Sequence, residues 1–437
     1  MVKRLYVAMN NTLVGTWDHK PNGEESFQYL DSWIENPLSR GISLSMPVRK
    51  EKYSKQLVKN YFSNLIPERK EIIELILKKY KIKQNNAFEL LAEIGRDCIG
   101  AIQISDNPDF LTTPQEIKGE AISDAKIASI LRNSKINNSQ TFFNEDDIFR
   151  VSLPGTQNKT TFLYHQGTWK IPIGATPTTH IFKLPIGEIQ NQIDLSQSVE
   201  NEWYCGKLFK NMGLPIAKSN ILTFEDQKFL SVERFDRIID SNNNKIIRLP
   251  QEDFCQVLNI PAQLKYQNDN GPSAKDIMNI LKNSNNEKDP ITFYKALILN
   301  WLIAATDAHA KNYSIFINRD NSYSLTPLYD IMSFAPYLGS KKNQVHKSKI
   351  KLAMSVRGSK KNKYHIDKIN VDNWYTTGSY LGLTQKVYKN IIKEVIEQFP
   401  IALEKTNNNL PSDFPIFIAD SISSVAKDYL ERLKSNY

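Results

Sequence analysis

An aspartate and an asparagine five residues apart follow the longest apolar run of the chain. The run ALILNWLIAA covers 296–305, and Asp307 and Asn312 stand just beyond it in ATDAHAKNYSIF. The spacing D-x-x-x-x-N is typical of catalytic loops for phosphoryl transfer, in which the aspartate accepts a hydroxyl proton and the asparagine binds a metal ion. Taken alone the spacing is weak, because aspartate and asparagine also serve as helix caps.

A second candidate metal ligand lies 18 residues beyond Asn312. The segment SYSLTPLYDIMSF alternates like a strand and leads into Asp330, where the second metal-binding aspartate of a kinase stands. Tyr329 and Ile331 replace the neighbours of the usual D-F-G motif. The alternative interpretation of Asp330 is a turn residue after a strand.

A lysine and a glutamate upstream suggest how nucleotide phosphates would be held. Lys183 lies in the apolar strand THIFKLP, where a buried ammonium without a partner would cost several kcal/mol. Glu202 follows 19 residues later, on a helix predicted over 196–212 with a serine cap and Gly213 after its end. A strand lysine paired with a helix glutamate orients ATP phosphates in kinases. Glu200 is the alternative partner, since both glutamates cannot face inward from one helix.

The segment VSLPGTQNKT at 151–160 is a candidate phosphate loop. Gly155 allows close approach of the backbone, and Thr156, Gln157 and Lys159 supply hydrogen-bond donors. The segment matches neither a Walker A motif nor G-x-G-x-x-G, so a plain hairpin turn is the alternative. The five candidate parts nevertheless occur in the order found in kinases: the glycine loop, the lysine, the helix glutamate, the Asp–Asn pair and the metal-binding aspartate. This order predicts an ATP-dependent phosphotransferase.

Hydrophobic periodicity predicts the elements that must position these residues. Strand-like and then helical patterns make residues 1–105 a compact α+β unit, and the polar residues 106–147 a connector that includes a helix near AKIASILRN. Residues 148–250 are rich in strands, and 251–437 are mostly helical, with helices predicted at 293–305, at 385–399 and through Ile418–Leu433. The fold class expected is α+β and bilobal, with a β-rich first lobe, a helical second lobe and an added N-terminal subdomain.

Charge and composition narrow the class of partner. The 437 residues include 56 Lys+Arg against 47 Asp+Glu, a net charge of +9, which favours an anionic partner. No acidic residue occurs between Ile331 and Ile366, a range with nine basic residues: Lys341, Lys342, Lys347, Lys349, Lys351, Arg357, Lys360, Lys361 and Lys363. So local a bias favours an electrostatic partner, although a solvated loop is the alternative.

The sequence gives no support for a disulfide framework, a zinc or histidine metal site, or a membrane span. The three cysteines, Cys98, Cys205 and Cys255, are far apart, and the six histidines are scattered, so neither a disulfide framework nor a zinc or histidine metal site is expected. The N-terminus lacks the apolar core of a signal peptide, and the longest apolar run is short for a membrane span. We therefore expect a soluble cytoplasmic protein with no membrane partner.

Longer strings resemble the HipA family, the serine/threonine kinase toxins of bacterial toxin–antitoxin pairs. The resemblance covers essentially the whole chain and is carried by LPIGEIQ, DLSQSVENEWYC, SVERFDR, RLPQEDFCQ, TDAHAKNYS and LTPLYDI. It implies a kinase-like fold with ATP and Mg²⁺ as cofactors. It also implies phosphorylation of a serine on an aminoacyl-tRNA synthetase, with glutamyl-tRNA synthetase the expected target, so that translation stops and growth is arrested. The implied partner is a HipB-like helix-turn-helix antitoxin that binds both the kinase and operator DNA.

The resemblance also implies a role for each matching residue. Asp307 would be the catalytic base, Asn312 and Asp330 the metal ligands, and Lys183 the phosphate-binding lysine. Glu233 and Phe235 would line the adenine pocket, with His309 beside the nucleotide. The loop over the phosphates would comprise Pro154, Gly155, Thr156, Gln157, Asn158 and Lys159. Ser152 matches the family's autophosphorylated serine, whose modification would act as an off-switch by adding roughly two negative charges beside the triphosphate.

Two departures from the family pattern bear on function. Pro154 and Asn158 are unexpected in the phosphate loop, and Pro154 removes a backbone donor. Residues 379–382 read Ser-Tyr-Leu-Gly where a relative has basic DNA-contacting residues, so contact with operator DNA is expected through the antitoxin. One alternative function is a kinase-fold binding protein that acts mainly as an antitoxin-dependent co-repressor on operator DNA. Another is kinase chemistry on a small molecule.

Overall fold

The structure is a computed structural model that describes residues 2–113, 116–135, 157–189, 193–242 and 244–435. Ser152, Pro154, Gly155 and Thr156 lie outside the described residues. Contacts between residues divide the chain into two compact units. The first comprises 1–184, 222–263 and 315–323, and the second comprises 185–221, 264–314 and 324–437.

The first unit begins with an antiparallel sheet whose strands run, in spatial order, Tyr53–Ser54, Glu25–Tyr29, Thr12–His19, Lys3–Met9 and Ile102–Ser105. Asn10 and Asn11 both have positive φ, as a tight hairpin between the two central strands requires. Helices follow the strands at Asp31–Ile34, Gln56–Ser63, Lys70–Lys79, Ala87–Ile94 and Pro108–Thr112. Trp17 stacks on Phe62 with ring centroids 3.8 Å apart, so the sheet and its helices share one core.

A second sheet in this unit carries the predicted phosphate-binding lysines. Its strands run, in spatial order, Ser219–Phe224, Gln227–Glu233, His180–Lys183, Lys159–His165, Thr168–Pro172 and Gly119–Ala121. The amphipathic helix Asp124–Lys135 packs on this sheet, with Ile127 and Leu131 against Phe162 and Phe182. The unit also includes the hairpin Arg237–Asp240 with Lys245–Arg248, the strand Gln251–Asp253 and the helix Phe254–Val257.

The second unit is mainly helical. Its helices are Ser198–Asn211, Ala274–Leu281, Asp289–Leu302, Val371–Leu381, Gln385–Asn407 and Ile416–Lys434. It also holds two small hairpins, Gly187–Ile189 with Ile193–Leu195 and Lys351–Arg357 with Asn362–His365. Every residue from Phe293 to Leu302 is buried, so the apolar run of the sequence is a helix enclosed on all sides. The chain passes between the units along two short strands, Ser314–Ile317 and Tyr323–Leu325.

The helix over Ser198–Asn211 shows one success and one error of the sequence interpretation. Gly213 follows it with φ 80°, and its amide donates to Lys210 O at 2.9 Å, as a C-terminal glycine should. The predicted serine cap is wrong, because the N-cap is Gln197 and makes no capping hydrogen bond. Ser196, the residue predicted as the cap, lies before Gln197, and its amide donates to Asp194 Oδ1 at 2.8 Å. No helix of the described residues is long and apolar enough to cross a membrane.

Candidate active site

The three residues predicted to act on the phosphoryl group line one cleft of the second unit. Asp307, Asn312 and Asp330 line this cleft together with Tyr313, Tyr329 and others. Asp307 and Asn312 are close in sequence, but Asp330 reaches the cleft from a different segment. The fold therefore brings together residues that the sequence could only place in order.

Asp307 stands in a turn at the end of the buried helix Asp289–Leu302. The helix stops where Ala304 adopts φ 53°, and the amide of Phe334 donates to Ala304 O at 2.9 Å, which fixes the turn. The Asp307 side chain is 58% exposed, so an incoming acceptor can reach its carboxylate. The side-chain amide of Asn312 donates to Asp307 O at 2.7 Å. This bond uses the amide nitrogen of Asn312, so its oxygen is the atom that can bind a metal ion.

Asp330 reaches the cleft on a segment that the helix Ser198–Asn211 holds in place. The amide of Ser333 donates to the Asn201 side chain at 2.9 Å, and that side chain donates to Ser333 O at 2.8 Å. Asp330 itself has φ 56°, a left-handed conformation that aspartate and asparagine tolerate better than most residues. Asn201 was not singled out in the sequence, because nothing local to it signals a bond 132 residues away.

The same helix distinguishes the two glutamates that the sequence left open. Glu200 is only 2% exposed, whereas Glu202 is half-buried. The helix therefore carries the side chain of Glu200 toward the protein interior.

His309 is buried beside the turn that carries Asp307, and its ring is neutral. Burial, reinforced by the nearby charges of Lys265 and Lys311, lowers the pKa of His309 to about 2. Its Nε2 lies 3.9 Å from Asp307 Oδ1, too far for a hydrogen bond. Its Nδ1 has no hydrogen-bond partner among the described residues. A neutral, buried imidazole can pack against a ligand but is unsuited to carry a positive charge at neutral pH.

Two lysines face each other in the sheet of the first unit. Lys159 and Lys183 are directly opposite in the antiparallel pair formed by strands Lys159–His165 and His180–Lys183. Lys183 is 6% exposed. Two ammonium groups on the same face of a sheet can both donate charged hydrogen bonds to phosphate oxygens, so the pair suits phosphate groups.

Two polar side chains, Gln157 and Asn158, fix the described part of the candidate phosphate loop. Gln157 donates to Leu184 O at 2.8 Å, next to Lys183. The side-chain oxygen of Asn158 accepts from Arg69 Nη1 at 2.8 Å. The unexpected Asn158 thus has a structural role, because it ties the loop to the N-terminal part of the same unit.

Buried and accessible residues alternate along the segment 233–236. Glu233 is exposed and Phe235 is half-buried, whereas the residue after each of them is buried. Glu233 ends its strand opposite His180. The Phe235 ring meets Phe316 edge-on with centroids 5.8 Å apart. Between and beyond them, Arg234 and Asp236 are 3% and 2% exposed. The alternation leaves Glu233 and Phe235 available to a ligand while their neighbours hold the segment.

These neighbours belong to a buried ionic cluster that the sequence analysis missed. Asp97 lies 3.1 Å from Arg234, 2.8 Å from Arg237 and 3.3 Å from Arg248, and Asp236 lies 2.8 Å from Arg234. Burial alone would raise the pKa of Asp97, but the three guanidinium groups hold that pKa well below its usual range. The string ERFDR at 233–237 shows alternating charges, which could have indicated an ionic cluster. Its partner Asp97 is distant in sequence, so the string alone does not reveal the contact.

A sheet that carries two lysines and a helical unit with an Asp–Asn–Asp cleft are features expected of a kinase-type phosphotransferase. The comparisons with known proteins agree. The family model described as the HipA-like C-terminal domain matches residues 151–403, and the HipA N-terminal domain matches residues 5–105. The chain belongs to the HipA family and is a kinase.

Relatives and a solved structure extend this result over the whole chain. A Sinorhizobium fredii protein named as a kinase, Y4mE, is 27% identical over 433 residues, which cover 98% of each chain. The serine/threonine-protein kinase toxin HipA of Shewanella oneidensis is 26% identical over 324 residues, 71% of this chain and 70% of the relative. The solved complex of Shewanella oneidensis HipA with HipB and operator DNA matches with TM-score 0.80 at 20% identity, over 99% of this chain and 98% of that one. The predicted kinase-like α+β fold is thereby confirmed.

Proposed function

We propose that this chain is the kinase toxin of a toxin–antitoxin pair, transferring the ATP γ-phosphate to a serine of an aminoacyl-tRNA synthetase. Glutamyl-tRNA synthetase is the expected target, and its modification would inhibit translation and arrest growth. The observation that carries the catalytic part is the convergence of Asp307, Asn312 and Asp330 on one cleft. The choice of substrate rests on family membership.

Each side chain of the cleft has a defined task in this proposal. Asp307 accepts the proton of the serine hydroxyl as that oxygen attacks the γ-phosphorus. Asn312 and Asp330 supply two oxygen ligands, a set that fits Mg²⁺, which binds through one or two protein oxygens plus substrate phosphates and waters. Bound Mg²⁺ would neutralise charge on the phosphates.

The first unit would bind the nucleotide. Lys183, with Lys159 opposite it, contributes positive charge for the phosphates, and the remaining loop residues Pro154–Asn158 would cover them. Glu233 and Phe235 would line the adenine pocket. Glu202, or Glu200 as the alternative, would orient Lys183.

The proposed regulation and partners follow the family. Autophosphorylation of Ser152 would switch the kinase off by adding negative charge beside the triphosphate. A HipB-like antitoxin would bind the chain and carry it to operator DNA, by analogy with the Shewanella HipA, which was solved in complex with HipB and its operator DNA. The exposed lysines at 341, 342, 347, 349 and 351 offer a surface for an acidic or nucleic-acid partner.

The test is phosphoproteomics after expression of wild type and of Asp307→Asn, with the purified proteins assayed in parallel with Mg²⁺ and ATP. We expect wild type to phosphorylate Ser152 and a synthetase serine, and the variant to lose about 10²- to 10⁴-fold of its rate while retaining ATP binding. Normal labelling by Asp307→Asn would contradict the catalytic assignment. ATP binding without any phosphorylated product in wild type would favour the co-repressor function instead.

A further inference from the structure

Tyr266 makes a direct contact with the catalytic carboxylate. Its hydroxyl donates to Asp307 Oδ1 at 2.5 Å, although the two residues are 41 positions apart. Tyr266 is half-buried, and its ring meets the ring of His309 edge-on with centroids 5.0 Å apart. The neutral, buried His309 therefore supports the ring while the phenol reaches the carboxylate.

The loop that carries Tyr266 is closed on itself. The Tyr266 carbonyl accepts from the amides of Asp269 at 3.0 Å and Gly271 at 2.9 Å. A Cβ at Gly271 would lie 1.9 Å from Leu264 O and 2.7 Å from Tyr266 O, so only glycine permits this closure. The backbone on either side of Tyr266 is thus held in one conformation.

The loop is also fastened to its surroundings in the second unit. The side-chain oxygen of Gln267 accepts from Ser355 N at 2.8 Å and from Ser355 Oγ at 3.1 Å. The amide of Ala310, in the catalytic turn, donates to Lys265 O at 3.4 Å. Tyr266 lies between these two anchors, so the fold directs its hydroxyl at Asp307 from a fixed platform.

We propose that Tyr266 is the positioning residue of the catalytic base. Its hydrogen bond to Oδ1 fixes the plane of the Asp307 carboxylate. Oδ2 is then the oxygen that accepts the proton of the acceptor hydroxyl. As that proton moves to Oδ2, the acceptor oxygen bonds to the γ-phosphorus, and the bond to the β-phosphate oxygen breaks with its electron pair leaving on ADP. The phenol keeps its own proton throughout. This inference rests on the proposed kinase function and adds the group that orients its base.

The kinetic test compares Tyr266→Phe with wild type and with Tyr380→Phe, a matched change at an exposed tyrosine of the same unit. We expect Tyr266→Phe to lower kcat about 10- to 100-fold, because a base held out of line loses reactivity of that order. The KM for ATP should stay within about twofold, and Tyr380→Phe should match wild type. An unchanged or increased kcat, or a loss confined to KM, would overturn the positioning role.

A second measurement needs no activity. A double-mutant cycle of Tyr266→Phe and Asp307→Ala on the thermal unfolding midpoint should be non-additive, because the two side chains share one hydrogen bond. Additive shifts would overturn the inference even if the kinase is active. Absence of phosphorylated product from wild type would instead overturn the proposed function, so the two failures are told apart.

Discussion

The backbone conformation of Asp330 restricts which substitutions can test its proposed metal-binding role. Its φ of 56° suits aspartate and asparagine, whereas alanine there would add backbone strain to any loss of ligand. Asparagine is therefore the informative replacement, because it keeps the conformation and removes the charge. Asp320, with φ 63° and an exposed side chain that is not among the residues lining the cleft, offers the same change as a control.

We predict that Asp330→Asn raises the Mg²⁺ concentration for half-maximal activity by at least about tenfold, since a neutral amide is a weaker ligand for a hard cation than a carboxylate. Titration of phosphorylation rate against Mg²⁺ at saturating ATP measures this effect. Asp320→Asn should give the wild-type curve. A wild-type Mg²⁺ dependence in Asp330→Asn would remove Asp330 from the metal site.

At the scale of elements, the sequence predicted periodic helices and the order of site residues better than it predicted contacts. The helix expected over 293–305 is Asp289–Leu302, and that expected over 385–399 is Gln385–Asn407, which continues through Pro400. Strand register is different, because a shift of one residue changes which side chains meet. The placement of Lys159 directly opposite Lys183 is therefore a result of the fold that spacing did not reveal.

This register leads to a prediction for nucleotide binding. Lys183→Met should weaken ATP binding roughly 10- to 100-fold and Lys159→Met by a smaller factor, because each loses a charged hydrogen-bond donor to phosphate. Lys170→Met, on the neighbouring strand opposite Leu163, is the matched control and should bind like wild type. Calorimetric titration with a non-hydrolysable ATP analogue provides the measurement. Equal affinities for all four proteins would show that this strand pair does not bind the nucleotide.

At the scale of the whole molecule, the residues that sequence reasoning missed are those whose polar contacts are with residues distant in sequence. The cluster of Asp97 with Arg234, Arg237 and Arg248 joins the N-terminal part of the first unit to the segment that bears Glu233. No local pattern pairs residues more than 130 positions apart. Tyr266 was missed for the same reason, since its relation to Asp307 exists only in three dimensions.

The buried cluster predicts a large and pH-dependent effect on stability. Asp97→Asn preserves side-chain shape but leaves three buried guanidinium groups with one carboxylate fewer, so we expect about 3–5 kcal/mol of destabilisation. The depressed pKa of Asp97 means that its contribution is present above the unfolded-state pKa of about 3.9 and is lost as pH falls through the lower folded-state value. The difference between wild type and variant in urea unfolding should therefore be constant from about pH 8 to 5 and shrink in stronger acid. The control is Glu24→Gln, which removes an exposed ion pair with Lys20 and should leave the unfolding transition unchanged. If Asp97→Asn also left the transition unchanged, the cluster would not stabilise the first unit.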